Sequence, residues 1–252
     1  MAEPLLEVRR FYKHFGGVVA TDHLDLAVGA GGIHALIGPN GAGKTTLIAQ
    51  ICGEIEPDAG QVLFAGRDIT ALPSHERVAL GLGRSFQITR VFRSLTVLDN
   101  IALAVQARSG SSMRFWRPVA LERELRHEAD AILAGLDMTA AAGNAAASLP
   151  HADQRRLEVA LALACRPRLL LLDEPLAGMG AEEAQAMIER ISRLKQHTTI
   201  LLVEHDMDAV FRLADVISVL VGGCVIASGA PQAIRDDAEV RRAYLGEEEA
   251  AA

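Results

Sequence analysis

The sequence predicts an α/β protein: a mostly parallel central sheet wound by helices, with an N-terminal antiparallel β part and a helical insertion in the middle. Three observations predict it. Apolar runs at residues 33–37, 168–173, 198–203 and 216–221 read as strands, the Leu169-Leu170-Leu171-Leu172 run as one buried on both faces. These runs alternate with helical patterns, the order that builds a parallel, doubly wound core. A glycine-rich turn joins the first run directly to a helix.

In chain order, residues 5–12 and 24–28 read as strands joined through Phe15-Gly16-Gly17, and the alternation Leu24-Asp25-Leu26-Ala27-Val28 marks a half-exposed antiparallel strand. After the buried strand at 33–37, a helical pattern restarts at Lys44 with Leu47, Ile48 and Ile51. Pro57-Asp58-Ala59-Gly60 is a turn signal, residues 62–64 a strand, and Ala65-Gly66-Arg67-Asp68 a second turn. Pro73 opens a short helix to residue 80, and residues 81–87 return toward the sheet. The character then changes. Residues 96–107, 119–135 and 154–165 read as helices, the second with Leu125, Ala129, Ile132 and Leu136 on one stripe. Residues 108–118, which hold the single Trp116, read as a loop, and residues 140–147 as loop or frayed helix. The frame resumes at 168–174, with a helix at 181–196, a strand at 198–203, a helix at 206–213 and a strand at 216–221. Residues 225–227 return as a hairpin across Gly222-Gly223. Residues 1–87 and 166–246 therefore read as one core interrupted by a helical subdomain at 88–165, with a disordered tail at 247–252.

The chemistry starts at Gly38-Pro39-Asn40-Gly41-Ala42-Gly43-Lys44-Thr45-Thr46, a phosphate-binding loop of Walker A pattern between a strand and a helix. Glycines let the backbone approach an anion, and amide N–H groups at a helix start cradle its oxygens. Lys44 supplies a point charge to the β- and γ-phosphates, and the Thr45 hydroxyl can ligate Mg²⁺. Asp173-Glu174 closes the four-leucine strand. Asp173 is assigned to the metal and Glu174 to the attacking water. Val203-Glu204-His205 ends the next apolar strand, where the His205 imidazole could hydrogen-bond a γ-phosphate. Gln87 follows Phe86 at another strand end and offers an amide oxygen to Mg²⁺ or to the water.

Composition narrows the class. The chain has 252 residues, half of them apolar and 4% aromatic, so a large core of aliphatic side chains is expected. A formal net charge of −7 argues against a general nucleic-acid binder. Cys52, Cys165 and Cys224 are odd in number and lack metal-like spacing, as expected in a reducing compartment. Met1-Ala2-Glu3-Pro4 does not start a secretory leader. The long uncharged stretch between Asp215 and Arg235 is broken by Gly222-Gly223, Gly229 and Pro231 and does not read as a membrane span.

The order of these motifs resembles the nucleotide-binding subunits of ABC transporters, over essentially the whole chain. The resemblance implies a P-loop NTPase of ABC type that binds ATP with Mg²⁺ and hydrolyses it. It matches Phe15 to the aromatic that stacks on adenine, Gln87 to the Q-loop, residues 175–180 to the D-loop and His205 to the switch histidine. Lys13-His14-Phe15-Gly16-Gly17, Arg84-Ser85-Phe86-Gln87, residues 91–97, Gln154-Arg155-Arg156-Leu157-Glu158, Glu204-His205-Asp206-Met207 and residues 241–246 resemble the bacterial branched-chain amino-acid importers, a pattern shared by urea and other amide or amino-acid importers. That likeness implies a second ATPase subunit (a paralogue or a second copy), two transmembrane permease subunits and, indirectly, a periplasmic solute-binding protein. The chain would then sit peripherally at the cytoplasmic face of the bacterial inner membrane, with no nucleic-acid partner. The alternatives are an ABC ATPase of lipid or lipopolysaccharide export and a soluble ABC-type regulatory ATPase.

One place departs from the family. Its signature, Leu-Ser-Gly-Gly-Gln or Leu-Ser-His-Gly-x-Gln, falls on Leu149-Pro150-His151-Ala152-Asp153-Gln154, with proline for serine and alanine for the second glycine. Gly180 also stands in the D-loop where Asp or Asn is common. Two readings follow: an asymmetric pair in which the site completed by residues 149–153 is the weaker, or a tolerated variation.

Overall fold

A computed structural model of the chain describes residues 3–85, 91–109 and 123–248. In chain order the elements are β1 (Leu6–Phe15), β2 (Val18–Val28), β3 (Ile33–Ile37), α1 (Lys44–Ile51), β4 (Ala59–Phe64), β5 (Arg67–Asp68), α2 (Ser74–Ala79), β6 (Leu82–Arg84), α3 (Val97–Arg108), α4 (Arg123–Gly135), α5 (His151–Ala164), β7 (Leu169–Asp173), α6 (Ala181–Leu194), β8 (Thr199–Val203), α7 (Met207–Leu213), β9 (Val216–Val221), β10 (Cys224–Gly229), α8 (Pro231–Asp236) and α9 (Ala238–Glu248). They form two compact units, residues 1–77 with 195–252, and residues 78–194.

The first unit holds an antiparallel sheet in the order β2-β1-β4-β5. β1 and β2 are longer than the sequence predicts. Register shifts between Val8 and Phe11 and again up to His14 let the pair continue past the charged residues to the Gly16-Gly17 turn. The same unit holds β10-β9-β3-β8, with β3 parallel to both β8 and β9, and β10 antiparallel to β9. Every residue of β3 and of β8 is buried, which is why both read as unbroken apolar runs. Ala35, Ile37, Ile217 and Val219 pack with Val210 of α7, Ile234 of α8 and Val240 of α9 in one core cluster. The two C-terminal helices carry few apolar side chains each, and the sequence reading did not find them.

Arg77 is a buried charge in this unit, 2% exposed, and its guanidinium donates to the carbonyls of Gln50, Ile51, Thr70 and Leu72. Two of those carbonyls end α1, so Arg77 satisfies and neutralises the negative end of that helix.

The second unit pairs β6 with β7 in parallel, and β7 is buried throughout. Thr96 caps α3 by accepting from Asp99 N. On α4 the buried stripe is Leu125, Ala129 and Leu133, so Leu133 replaces the predicted Ile132, one residue on and on the same i, i+4, i+8 line. Arg108 of α3 clamps Glu128 of α4 with two donors and also reaches Ala164 O at the end of α5. Residues 139–141 and 146–148 form short 3-10 turns rather than open loop. The predicted loop around Trp116 and the start of the predicted 119–135 helix lie outside the described residues, as do residues 249–252 of the predicted 247–252 tail, whose first two residues belong instead to α9. No helix among the described residues is long and apolar enough to cross a membrane.

Candidate functional site

The glycine-rich loop at residues 38–46, predicted to bind phosphate, follows β3 and opens α1. Gly43 is the N-cap of α1 at φ 104°, a backbone state that side chains strain to adopt. Shape adds a second reason for glycine. A Cβ on Gly38 would lie 2.0 Å from Leu220 O, and one on Gly43 would lie 2.1 Å from Ala20 O. At these two positions the loop rests on the β9 and β2 backbones, with no room for a methyl group. Asn40, Gly41 and Thr45 face solvent, and Pro39 and Thr46 are half-buried. Ala42 is buried. Lys44 folds its ammonium back over the loop and donates to the carbonyls of Gly38 and Pro39.

β8 runs beside β3 with Leu36 opposite Val203, so Gly38 and His205, each two residues further on, leave the same carboxyl edge of the sheet. The His205 side chain is 65% exposed and stands next to the buried Glu204, whose Oε2 accepts from His205 N at 3.1 Å and lies 3.7 Å from Nδ1. Asp206 then caps α7 by accepting from Ala209 N. Glu204 was quoted in the sequence only as part of a motif. Its placement under the imidazole is set by burial, and a carboxylate beside a histidine at a strand end is the signal that could have found it. Phe15 ends β1 with about half its surface exposed and Lys13 Nζ 5.5 Å from its ring centroid, leaving an aromatic face open at the edge of the same unit.

The second unit carries Asp173 and Glu174 at the end of β7. β6 and β7 align Arg84 with Leu171, which brings the Arg84 guanidinium up to the end of β7. Arg84 Nη2 donates to Asp173 Oδ2 at 3.1 Å. Burial pushes the Asp173 carboxyl above the ordinary aspartate range, and the positive charge of Arg84 pulls against that. The other oxygen, Asp173 Oδ1, is buried and meets no hydrogen-bond partner among the described residues. A buried carboxylate oxygen with an open lone pair suits a hard cation or a cation's water, so Asp173 fits the role of a magnesium ligand. No group of three or more His, Cys, Asp or Glu side chains able to hold a metal by itself occurs among the described residues. Glu174 leaves β7 at φ 49°, left-handed for a non-glycine residue, and turns the chain sharply after Asp173. Gln87 lies outside the described residues. The sequence alone assigns Arg84 no role; an arginine closing a short strand of small and apolar residues was the available signal.

The divergent signature begins α5. Pro150 is its N-cap, extended at ψ 157°, and accepts the first helical bond from Gln154 N at 2.9 Å. Gln154 Nε2 donates to Leu149 O at 2.8 Å, and Arg156 pairs with Asp153 in the same turn. Ala152 is buried. The His151 imidazole fills the space beside Gly178: a Cβ there would lie 3.0 Å from His151 Cε1. Signature and D-loop thus pack directly on one another. Gly180 precedes α6, and Glu183 reaches back to accept from its N–H at 3.1 Å.

Against this background, residues 21–177 match the ABC transporter family, and residues 224–250 match the branched-chain amino acid ATP-binding cassette transporter family. The chain is 37% identical over 254 residues to the high-affinity branched-chain amino acid transport ATP-binding protein LivG of Escherichia coli (strain K12), covering 98% of this chain and 100% of that one. It is 36% identical to the corresponding BraF protein of Pseudomonas aeruginosa over the same 98% and 100%. It is also 35% identical to the lipopolysaccharide export system ATP-binding protein LptB of Acidithiobacillus ferridurans, over 97% and 98% of the two chains. The ADP conformation of an ATP-binding cassette of an ABC transporter superposes with a TM-score of 0.84 at 29% identity, covering 97% of this chain and 100% of that one. Phosphate loop, acidic strand end and full-length likeness agree: the chain belongs to the ABC transporter family as one of its ATP-binding cassettes, an ATPase.

Proposed function

We propose that this cassette powers an importer of branched-chain amino acids or of a related amino acid or amide. The observation that carries the solute class is the match of residues 224–250 to the branched-chain cassette family, because the core motifs alone are shared with the lipopolysaccharide export relative. In this reading residues 1–87 and 166–246 carry the nucleotide core and residues 88–165 the helical signature subdomain. Residues 38–46 hold the phosphates through backbone N–H groups, with Lys44 adding charge, and Phe15 stacks on adenine. Thr45, Asp173 and Gln87 would hold Mg²⁺, which neutralises phosphate charge when bound. Glu174 orients and deprotonates the attacking water, and His205 hydrogen-bonds the γ-phosphate, kept in register by Glu204. The open lone pair of Asp173 supports its place at the metal, and the strained turn at Glu174 supports its place at the water.

The partners in this reading are a second ATPase subunit, two permease subunits and, indirectly, a periplasmic solute receptor, with the cassette peripheral at the cytoplasmic membrane face. The test is reconstitution of the chain with its permease and paralogous ATPase in proteoliposomes. Solute receptor loaded with leucine, isoleucine, valine or a small amide should stimulate ATP hydrolysis and uptake. Stimulation by lipopolysaccharide instead, with none by amino acids or amides, would assign the chain to the export branch.

A further inference from the structure

We propose that Gly223, at the tip of the β9–β10 hairpin, is a positioning residue for the phosphate-binding loop: its N–H holds the Ala42 carbonyl behind the loop and so aims the Gly43 N–H at the nucleotide. The inference rests on the reading of residues 38–46 as the nucleotide cradle.

Gly222 and Gly223 have φ of 53° and 81°, the two positive values of a tight two-residue hairpin turn. The turn is anchored on β2, where Asp22 N donates to Gly223 O at 2.9 Å and Cys224 Sγ donates to Asp22 O at 3.2 Å. From that fixed position Gly223 N donates to Ala42 O at 3.0 Å. Ala42 is only 4% exposed, so its carbonyl needs a protein partner. The peptide joining Ala42 to Gly43 is planar and trans, so its carbonyl and its N–H point in opposite directions. With the oxygen held toward the hairpin, the Gly43 N–H faces away from it, at the positive start of α1. Glycine at 43 would otherwise let this peptide rotate at small cost. The same hairpin supports the other end of the loop, where Leu220 O leaves no space for a Gly38 side chain. A Cβ on Gly223 would lie 3.0 Å from Asp22 N, 3.1 Å from Ala20 O and 3.1 Å from Thr21 Cα, so the tip and β2 would have to part by a few tenths of an ångström, which strains the N–H hydrogen bond to Ala42. A Cβ on Gly222 meets nothing within 4 Å.

The test compares wild type, Gly223→Ala and Gly222→Ala as full-length chains. Affinities for ADP and adenosine are measured by competition with a fluorescent ATP analogue. Gly223→Ala should weaken ADP about tenfold, the loss of one charge-assisted hydrogen bond. Adenosine, which has no phosphate, should stay within about twofold, and Gly222→Ala should match wild type for both. Equal weakening of ADP and adenosine, or a lower melting temperature with ADP affinity retained, marks a merely structural glycine and overturns the proposal. Cys224→Ala adds no atom and releases one anchor of the tip. It should weaken ADP about twofold to threefold with adenosine unchanged, and it decides the matter if Gly223→Ala does not fold, with unchanged ADP affinity overturning the proposal. Lys44→Ala separates the two levels. Unchanged ADP affinity there removes the cradle reading itself, whereas a loss there with none in Gly223→Ala and Cys224→Ala removes only the positioning role.

Discussion

Arg84 and Asp173 form an ion pair that solvent barely reaches: Arg84 Nη2 lies 3.1 Å from Asp173 Oδ2, and the two side chains are 8% and 1% exposed. Such a pair repays its desolvation only while both members are present, so removing one is far costlier than removing both. Arg84→Ala is therefore expected to destabilise the protein by about 3 kcal/mol, and the double replacement Arg84→Met with Asp173→Leu to recover most of that loss. Urea unfolding midpoints of the single and double variants check it. The double variant should still lack hydrolysis, because the carboxylate at the strand end is gone.

Glu174→Gln keeps the size of the side chain at the left-handed turn and removes its basicity. ATP affinity should stay within about twofold while turnover falls roughly 10²- to 10⁴-fold, the usual range for a lost general base. Equilibrium binding and single-turnover hydrolysis on the same preparation separate the two effects. Hydrolysis at the wild-type rate would remove Glu174 from the water-activating role.

His34 sits inside β3, 5% exposed, with Nε2 2.8 Å from Ser218 Oγ, which in turn lies 2.8 Å from Ser228 Oγ. Burial lowers its pKa to about 4 from an ordinary 6.5. The fold thus favours the neutral imidazole, while the unfolded chain takes the proton first. The resulting stability is complete above about pH 6.5 and is lost as pH falls toward 4, up to about 3 kcal/mol from this group. His34→Gln keeps a hydrogen-bonding end toward Ser218 and should flatten that part of the stability–pH curve. Denaturant unfolding of both proteins between pH 7 and pH 4 measures the difference, and parallel curves would contradict it.

Pro150 and Ala152 leave α5 intact, so the altered signature is a question of chemistry rather than of folding. In the asymmetric-pair reading, Pro150→Ser with Ala152→Gly returns a hydroxyl and close backbone approach, and should raise ATP hydrolysis of the assembled transporter about tenfold or more, the value of one hydrogen bond to a charged group. The added glycine in the first helical turn costs up to about 1 kcal/mol of stability. An unchanged rate favours the tolerated-variation reading.

How much of this was legible beforehand depends on distance along the chain. The strand–loop–helix at 33–51, the buried strand ending at Asp173 and the helices beginning near Thr96 and Asp206 are local patterns, carried by periodicity and by residues a few positions apart. The helices α8 and α9 were not legible, because α8 is only six residues long and the charged residues of α9 break up any apolar stripe in the sequence. Arg77 gave no warning of its burial, since an arginine in a short polar helix ordinarily faces water, and only the carbonyls of Gln50, Ile51, Thr70 and Leu72, brought together by the fold, call it inward.

By itself the sequence pointed to the class of chemistry: a glycine-rich turn of phosphate-loop pattern with its lysine, an acidic strand end, and a histidine at the end of an apolar run. Tertiary structure alone decided that Gly38 and Gly43 are held against Leu220 and Ala20, that Gly223 reaches Ala42, and that Arg84 closes on Asp173. The reason is geometric: these pairs are joined by backbone hydrogen bonds, steric fit and buried charge between strands far apart in the chain, which leave no periodic trace in the order of residues.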